Sequence, residues 1–443
     1  MRNIVIIGNG ISGITAARHI RKKSDDAITI ISAETDHFFS RTALMYIFMG
    51  HMKYEHTKPY EDSFWKKNKL DLLKDKVESI DFKTKELYLK QSDNIKYDVL
   101  ILALGSKPNK FGWPGQDLDA VQGLYSYQDL ESMEKWSEST QKAAIVGGGL
   151  IGIEMGEMLH TRDIEVTFIV RESSFWNNVL PPEESDMINR HIQKHGFKLL
   201  LESEISEILD DGNGRATAVK LQNGEEIEAQ FVGLTVGVSP NVDFLRKSDL
   251  KVEKGIIVNE FFETNQDQVY AIGDCAQFEN APAEDRRPIE QVWYTGRMHG
   301  ETVARTITGT KTSYKPGVWF NSAKFLDIEY QTYGQVPNFP DDENEVHFYW
   351  EHPNGEKSIR LVFDKDSKFL KGVNVMGIRF RHEICDKMIK EKWEMKKVFQ
   401  NLKSANFDPE FFKTYENELI EMYNNRYPEE AVKVKRNKIL GLF

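Results

Sequence analysis

Cysteine is nearly absent from this 443-residue chain: there are two, Cys275 and Cys385, far apart in sequence. That excludes a disulfide framework, cysteine-based zinc spacing and a C-x-x-C redox pair, and no metal site is expected. Positive charge is not in surplus either, since 58 Lys and Arg against 69 Asp and Glu leave a net charge of −11. Nucleic acid is therefore not expected as a partner. No apolar run is long enough to span a bilayer. The apolar N-terminal residues stop at a glycine turn after one basic residue, with no small-residue cleavage site, so they read as a strand and the protein as cytoplasmic. The 29% charged and 40% hydrophobic fractions are ordinary for globular material, and the length allows two or three domains.

What is present begins at once. Asn3 to Ile7 is a short apolar run that enters Gly8-Asn9-Gly10-Ile11-Ser12-Gly13 and then an amphipathic helix over Ile14 to Ile20. This is the order of a buried parallel strand, a G-x-G-x-x-G turn and a helix whose N-terminus can hold a pyrophosphate. Ala27 to Ile31 reads as the second parallel strand, after which Glu34 is the candidate acid for an adenosine ribose; a solvated loop carboxylate is the competing reading. Arg41 is a lone cation among aromatic and apolar residues, suited to a phosphate or a flavin carbonyl, or simply lying along the aromatic surface. Short strands follow at Val77 to Asp81 and Glu86 to Leu89. A fully apolar one then ends at Ala103 and Gly105, where a ligand can approach the backbone.

Pro108 to Gly115 reads as a linker, after which the opening repeats. Ala143 to Val146 leads into Gly147-Gly148-Gly149-Leu150-Ile151-Gly152 and a helix, with Val166 to Val170 as the next strand. Two such units imply two dinucleotides, far more strongly than either loop alone. Glu172 past that strand favours the free ribose hydroxyl of NADH, whereas the neighbouring Arg171 suits the 2′-phosphate of NADPH. Glu154, on the helix after the second loop, needs a polar partner if it faces inward, and a nicotinamide carboxamide would supply one; a solvated helix glutamate is the alternative. A helix is expected over Pro182 to Gly196. A buried strand then ends at Gly237, closing the inserted unit much as Ala103 to Asn109 closes the region before it. Val269 to Ala271 runs into Gly273-Asp274 at an expected helix start, where the carboxylate can accept from sugar hydroxyls or act as a plain N-cap.

From Tyr314 the chain turns aromatic and β-rich, with helical stretches expected at Glu383 to Lys403 and Pro409 to Asn424. The last residues, Lys433 to Phe443, are basic and apolar. Such a tail can touch a membrane or an acidic partner, but more often docks on its own protein or frays.

Together these motifs resemble the FAD-dependent pyridine nucleotide-disulfide oxidoreductases. Phe39-Ser40-Arg41-Thr42-Ala43-Leu44 is similar to an element of rubredoxin reductases, of ferredoxin reductase components and of the N-terminal region of nitrite reductase large subunits. The resemblance implies an α/β fold with two Rossmann-like dinucleotide-binding domains, an FAD domain at 1–112 and 245–312 interrupted by an NAD(P)H domain at 113–244. A C-terminal α+β domain follows at 313–443. It puts FAD on Gly8, Gly10, Ser12, Gly13, Glu34, Arg41, Val77, Ala103, Gly105, Gly273 and Asp274. NAD falls on Gly147, Gly149, Ile151, Gly152, Glu154 and Glu172, with Gly237 also counted among the cofactor positions, and Glu154 is the residue expected to position the nicotinamide. Glu290 to Trp293 and Phe320-Asn321 are expected along the flavin edge. NADH is favoured as donor, with NADPH open, and an iron-sulfur or rubredoxin-type protein as electron acceptor. Lys66 to Lys76 and Lys387 to Lys403 are the candidate docking cations. Thr42 stands where relatives that reduce disulfides carry a redox cysteine, which excludes a thiolate there. An NADH:quinone reductase using the tail as anchor and a redox-responsive interaction protein like apoptosis-inducing factor are the alternatives, and homodimerisation is open.

Overall fold

The computed structural model describes residues 1–340 and 343–433. All of the basic tail beyond Lys433 lies outside the described residues. The chain forms two compact units: Met1–Arg171 with Phe197–Pro316, and Glu172–Gly196 with the described chain from Gly317 onward.

The first unit contains two parallel five-stranded sheets. One runs in the order Val269–Ala271, Val99–Leu102, Asn3–Ile7, Ala27–Ser32, Asp71–Lys74. Its central strands are continuous apolar runs because both faces are covered; Ile4, Val5 and Ile6 are fully buried. Register aligns the carboxyl ends: Ile7 stands opposite both Ile31 and Leu102, and Ala271 opposite Leu102. The residues just past those ends, Gly8, Ala103 and Ile272, each donate a backbone hydrogen bond to the neighbouring strand, at 2.8, 2.8 and 2.9 Å. This edge is where open α/β sheets bind ligands.

The second sheet repeats the design in the order Lys198–Leu200, Glu165–Ile169, Lys142–Val146, Phe231–Leu234, Val121–Gln122. Three-stranded antiparallel layers accompany each sheet in sequence, one from Val77–Asp81, Glu86–Leu89 and Ile95–Lys96, the other from Ile205–Asp210, Ala216–Leu221 and Glu226–Glu228.

The second unit holds a five-stranded antiparallel sheet, in the order Phe320–Phe325, Ile328–Gly334, Leu370–Met376, Ser358–Asp364, Glu345–Glu351. Helices His382–Lys390, Met395–Ala405 and Glu416–Arg426 share its core through Met388, Phe399 and Tyr423. The helix Pro182–Lys194 belongs to this unit, and its buried Glu184 meets buried Arg360 of the strand Ser358–Asp364 at 2.6–3.0 Å.

Three expected elements differ. The helical stretch over Glu383 to Lys403 is two helices, because Lys392 adopts a left-handed conformation (φ 49°) and the Trp393 carbonyl is drawn into a bond from the Leu370 amide. The last helix starts at Glu416 and not at Pro409. Gly273–Cys275 is a single 3-10 turn, followed by the short strand Ala276–Phe278, so no α-helix starts at Asp274.

Candidate cofactor site

Both glycine loops end in helices that no side chain caps. The helices Ile11–Arg21 and Leu150–His160 have glycine at the N-cap, Gly10 and Gly149, with no acidic residue in the first turn. Their amide ends and dipoles are thus left for an external anion. Gly8 has φ +113°, and a Cβ there would collide with the Ala103 carbonyl, so glycine is structurally obligatory. Gly10 has φ −71°, and a Cβ would meet nothing within 4 Å. Neither strain nor packing asks for glycine at position 10, which leaves the space beside it open to a ligand. Gly13 lets the helix lie against the loop, its Cβ position being blocked by the Gly8 carbonyl. The helix Trp293–Ile307 crosses the first helix equally closely, since a Cβ on Gly300 would stand 2.5 Å from the Ser12 carbonyl oxygen.

A cavity of about 920 Å³ opens over the carboxyl edge of the first sheet. Gly8, Gly10, Ser12, Glu34, Arg41, Val77, Ala103, Gly105, Gly273 and Asp274 all line it. Ile151 and Glu154, from the helix after the second loop, line the same cavity. Gly13, Gly147, Gly149, Gly152 and Gly237 are not among its lining residues. Gly147 (φ +118°) and Gly152 pack against Thr235 in a second, separate copy of the loop geometry. Gly237 takes a left-handed turn (φ +88°) beside Asn109. Glu172 belongs to the second unit, in the chain just past Glu165–Ile169. Arg171 is exposed and 3.9 Å from Glu204.

Within the cavity, Arg41 and Glu34 hold each other: the guanidinium donates to both carboxylate oxygens at 2.8 and 2.6 Å and also to the Tyr125 carbonyl. The Tyr127 amide donates to Glu34 as well, at 2.9 Å. Burial works against the Arg41 charge, but the Glu34 carboxylate outweighs it and holds the guanidinium pKa above its ordinary value. Asp274 accepts from the Ser106 hydroxyl at 3.0 Å and the Tyr125 hydroxyl at 3.3 Å. Burial raises its pKa despite those bonds and the Arg41 charge. Glu154 is half-buried, and burial first, then repulsion from Glu157, pushes its carboxyl up to about 7.

One expectation about the flavin edge changes. Gln291 and Trp293 line the cavity, but Glu290 turns away into a buried cluster. There it accepts from Arg286 at 2.8 Å and from the Tyr314 hydroxyl at 2.8 Å, with His299 Nε2 at 3.4 Å. The Gly273 amide donates to His299 Nδ1 at 3.1 Å, so the cluster braces the turn carrying Asp274. Phe320 and Asn321 sit on the first strand of the second unit's sheet. Tyr125 was not singled out from sequence. It precedes the helix Tyr127–Ser137, whose Ser126 and Asp129 form a capping box. The S-x-x-D spacing was the available signal.

Thr42 lines the cavity. The two cysteines are buried elsewhere, and burial pushes the Cys275 thiol up to about 12, so neither is a thiolate near neutral pH.

The family model described as pyridine nucleotide-disulphide oxidoreductase matches residues 2–300. The chain belongs to this family. Membership implies use of a flavin and a pyridine nucleotide, and the uncapped loops, the open space at Gly10 and the long cavity fit such ligands. Among curated relatives, the chain is 30% identical over 381 residues to the nitrite reductase [NAD(P)H] of Bacillus subtilis, covering 85% of this chain and 44% of that one. It is 24% identical over 398 residues to the assimilatory nitrate reductase electron transfer subunit of the same organism, covering 88% and 50%. The chain thus spans about half the length of these two relatives. It is 28% identical over 323 residues to rubredoxin-NAD(+) reductase of Acinetobacter baylyi, covering 70% and 80%. A ferredoxin reductase from Rhodopseudomonas palustris shares the fold, with a TM-score of 0.77 at 22% identity over 85% of this chain and 91% of that one.

Proposed function

We propose that this oxidoreductase is FAD-dependent, passes a hydride from NAD(P)H to flavin, and hands electrons to an acceptor protein of the ferredoxin or rubredoxin type. The observation that carries the reading is that one cavity is lined both by the first glycine loop and by Glu154 from the helix of the second. A donor held by the second loop and a flavin held by the first would meet there. FAD would supply the ring that accepts two electrons together and releases them singly.

The chain's own part is binding, orientation and exclusion of water. Gly8, Gly10, Ser12 and Gly13 present the first helix terminus to the diphosphate. Arg41, Glu34 and Tyr125 close one wall, and Asp274 offers its carboxylate to sugar hydroxyls. Glu154 can donate or accept a hydrogen bond near neutral pH, which suits a carboxamide carrying both kinds of group. Gly147, Gly149, Ile151 and Gly152 would hold the donor's diphosphate, with Glu172 selecting NADH over NADPH. In domain terms, 1–112 with 245–312 would bind FAD and 113–244 NAD(P)H, with 313–443 as a C-terminal α+β domain.

The relatives' names support the acceptor class, one being a rubredoxin reductase and another an electron transfer subunit. A quinone reading rests on the tail, outside the described residues, and no described helix is long and apolar enough to cross a membrane. The acceptor assignment is tested by steady-state turnover of the flavin-loaded protein with NADH against rubredoxin, ferredoxin and a soluble quinone. Saturable, salt-sensitive turnover with one of the two proteins supports it. Fast turnover with quinone alone rejects it.

A further inference from the structure

Outside the cofactor cavity, one cluster of ligating side chains stands out in the second unit. His191 and His195 sit four residues apart around the end of the helix Pro182–Lys194, so their rings share a face, with centroids 4.3 Å apart. Asp327 comes from the tight turn between strands Phe320–Phe325 and Ile328–Gly334. One donor atom from each of the three lies within 4.8 Å of the others. His191 Nε2 is hydrogen-bonded to Asp327 Oδ1, and His195 Nε2 is 3.6 Å from the same oxygen.

The hydrogen-bond pattern decides what this cluster can do. His195 Nδ1 lies 2.9 Å from the His191 carbonyl, which can only accept, so Nδ1 carries the proton. In the neutral ring, Nε2 then presents a lone pair to the Asp327 carboxylate, acceptor against acceptor. A cation between them would make the arrangement favourable. A proton on His195 would satisfy one contact, whereas a metal ion would satisfy all three donors. The backbone bond that fixes the His195 tautomer is also the usual means of orienting a metal-ligating imidazole. His191 is buried and Asp327 is 70% exposed, so the carboxylate can rotate to widen the site while the buried ring stays fixed.

We propose that His191, His195 and Asp327 form a zinc-class divalent metal site that clips the 172–196 segment to the C-terminal sheet. Two imidazoles and one carboxylate suit a borderline ion such as Zn²⁺ and leave one coordination position to water. The ligands are separated by up to 136 residues in sequence. The ion therefore closes a long loop and stabilises the folded chain, with no part in electron transfer.

The test uses the full-length flavin-loaded protein, stripped with a chelator and titrated with ZnCl₂ by calorimetry, with thermal melting in parallel. Co²⁺ serves as an optical probe of tetrahedral coordination. One Zn²⁺ per chain should bind, raise the melting temperature and give an intense cobalt band. His195→Ala and Asp327→Asn should each weaken binding at least about tenfold and abolish the metal-dependent rise in melting temperature. Both side chains are partly exposed, so the metal-free melting temperature should change little. Absence of saturable binding, or binding that survives both substitutions, would mean that these three residues form no metal site.

Discussion

Both terminal nitrogens of the Arg41 guanidinium reach the Glu34 carboxylate, at 2.8 and 2.6 Å. Each residue is a plausible cofactor contact on its own, yet in the fold each is the other's partner. The bidentate pair anchors the loop after Ala27–Ser32 to the wall carrying Tyr125 and fixes the direction in which Glu34 can accept.

Arg41→Lys keeps the charge but loses the fork. Its retained flavin, measured as the ratio of flavin to protein absorbance after dialysis, should fall, with affinity down about tenfold, the worth of roughly one charge-assisted hydrogen bond. Unchanged retention would mean that the pair is ornamental to binding.

Gly8 and Gly10 should respond in opposite ways to the same substitution. Gly8→Ala meets both a left-handed φ and the Ala103 carbonyl, so the protein should lose about 2–4 kcal/mol in denaturant titration. Gly10→Ala meets nothing in the protein, so the flavin-free form should melt as before while flavin affinity drops. Destabilisation at both positions would remove the argument that Gly10 is reserved for a ligand.

The Glu154 carboxyl, raised to about 7 from 4.5, holds its proton longer in the folded chain than in the unfolded one. Its favourable contribution is therefore lost as pH rises from 4.5 to 7, and above 7 the buried charge costs stability. The full shift corresponds to at most about 3 kcal/mol, fewer after solvent screening. Glu154→Gln should accordingly melt higher than wild type at pH 8 and lose that advantage at pH 4.5. The reverse ordering would place Glu154 in a charge-stabilising environment.

Glu290 is the hub of a buried cluster, with Arg286 and Glu290 both almost wholly enclosed. Burial opposes its charge, but His299, Arg286 and Tyr314 outweigh it and hold the carboxyl below its ordinary pKa. Glu290→Gln strands the Arg286 charge and should cost about 3–5 kcal/mol by equilibrium unfolding. Because His299 also accepts from the Gly273 amide, flavin retention should fall with it.

The parallel strands, both glycine loops and the Gly273-Asp274 strand end were legible because each is a local pattern: an apolar run, then a turn whose glycines have separate steric causes. The first-loop positions entered the cavity for the same reason, apart from Gly13, which packs behind it. What sequence left hidden is set by side-chain partners outside the local patterns. Arg41 finds Glu34 and Tyr125, Glu290 turns inward toward His299 and Tyr314, and His191 meets Asp327 across 136 residues. The break in the C-terminal helical stretch is of the same kind, since the Trp393 carbonyl is claimed by the amide of Leu370 in the preceding strand.

The proposed meeting of a flavin on the first loop and a nicotinamide on the second in one cavity is open to direct test. It is tested most directly by mixing the flavin-loaded protein with one equivalent of NADH anaerobically in a stopped-flow spectrometer, for wild type and Gly149→Ala. Wild type should rapidly lose its oxidised flavin absorbance. In the variant the loss should slow at limiting NADH, with no change in flavin content. A protein that takes up no FAD, or one whose flavin NADH fails to reduce, would contradict it.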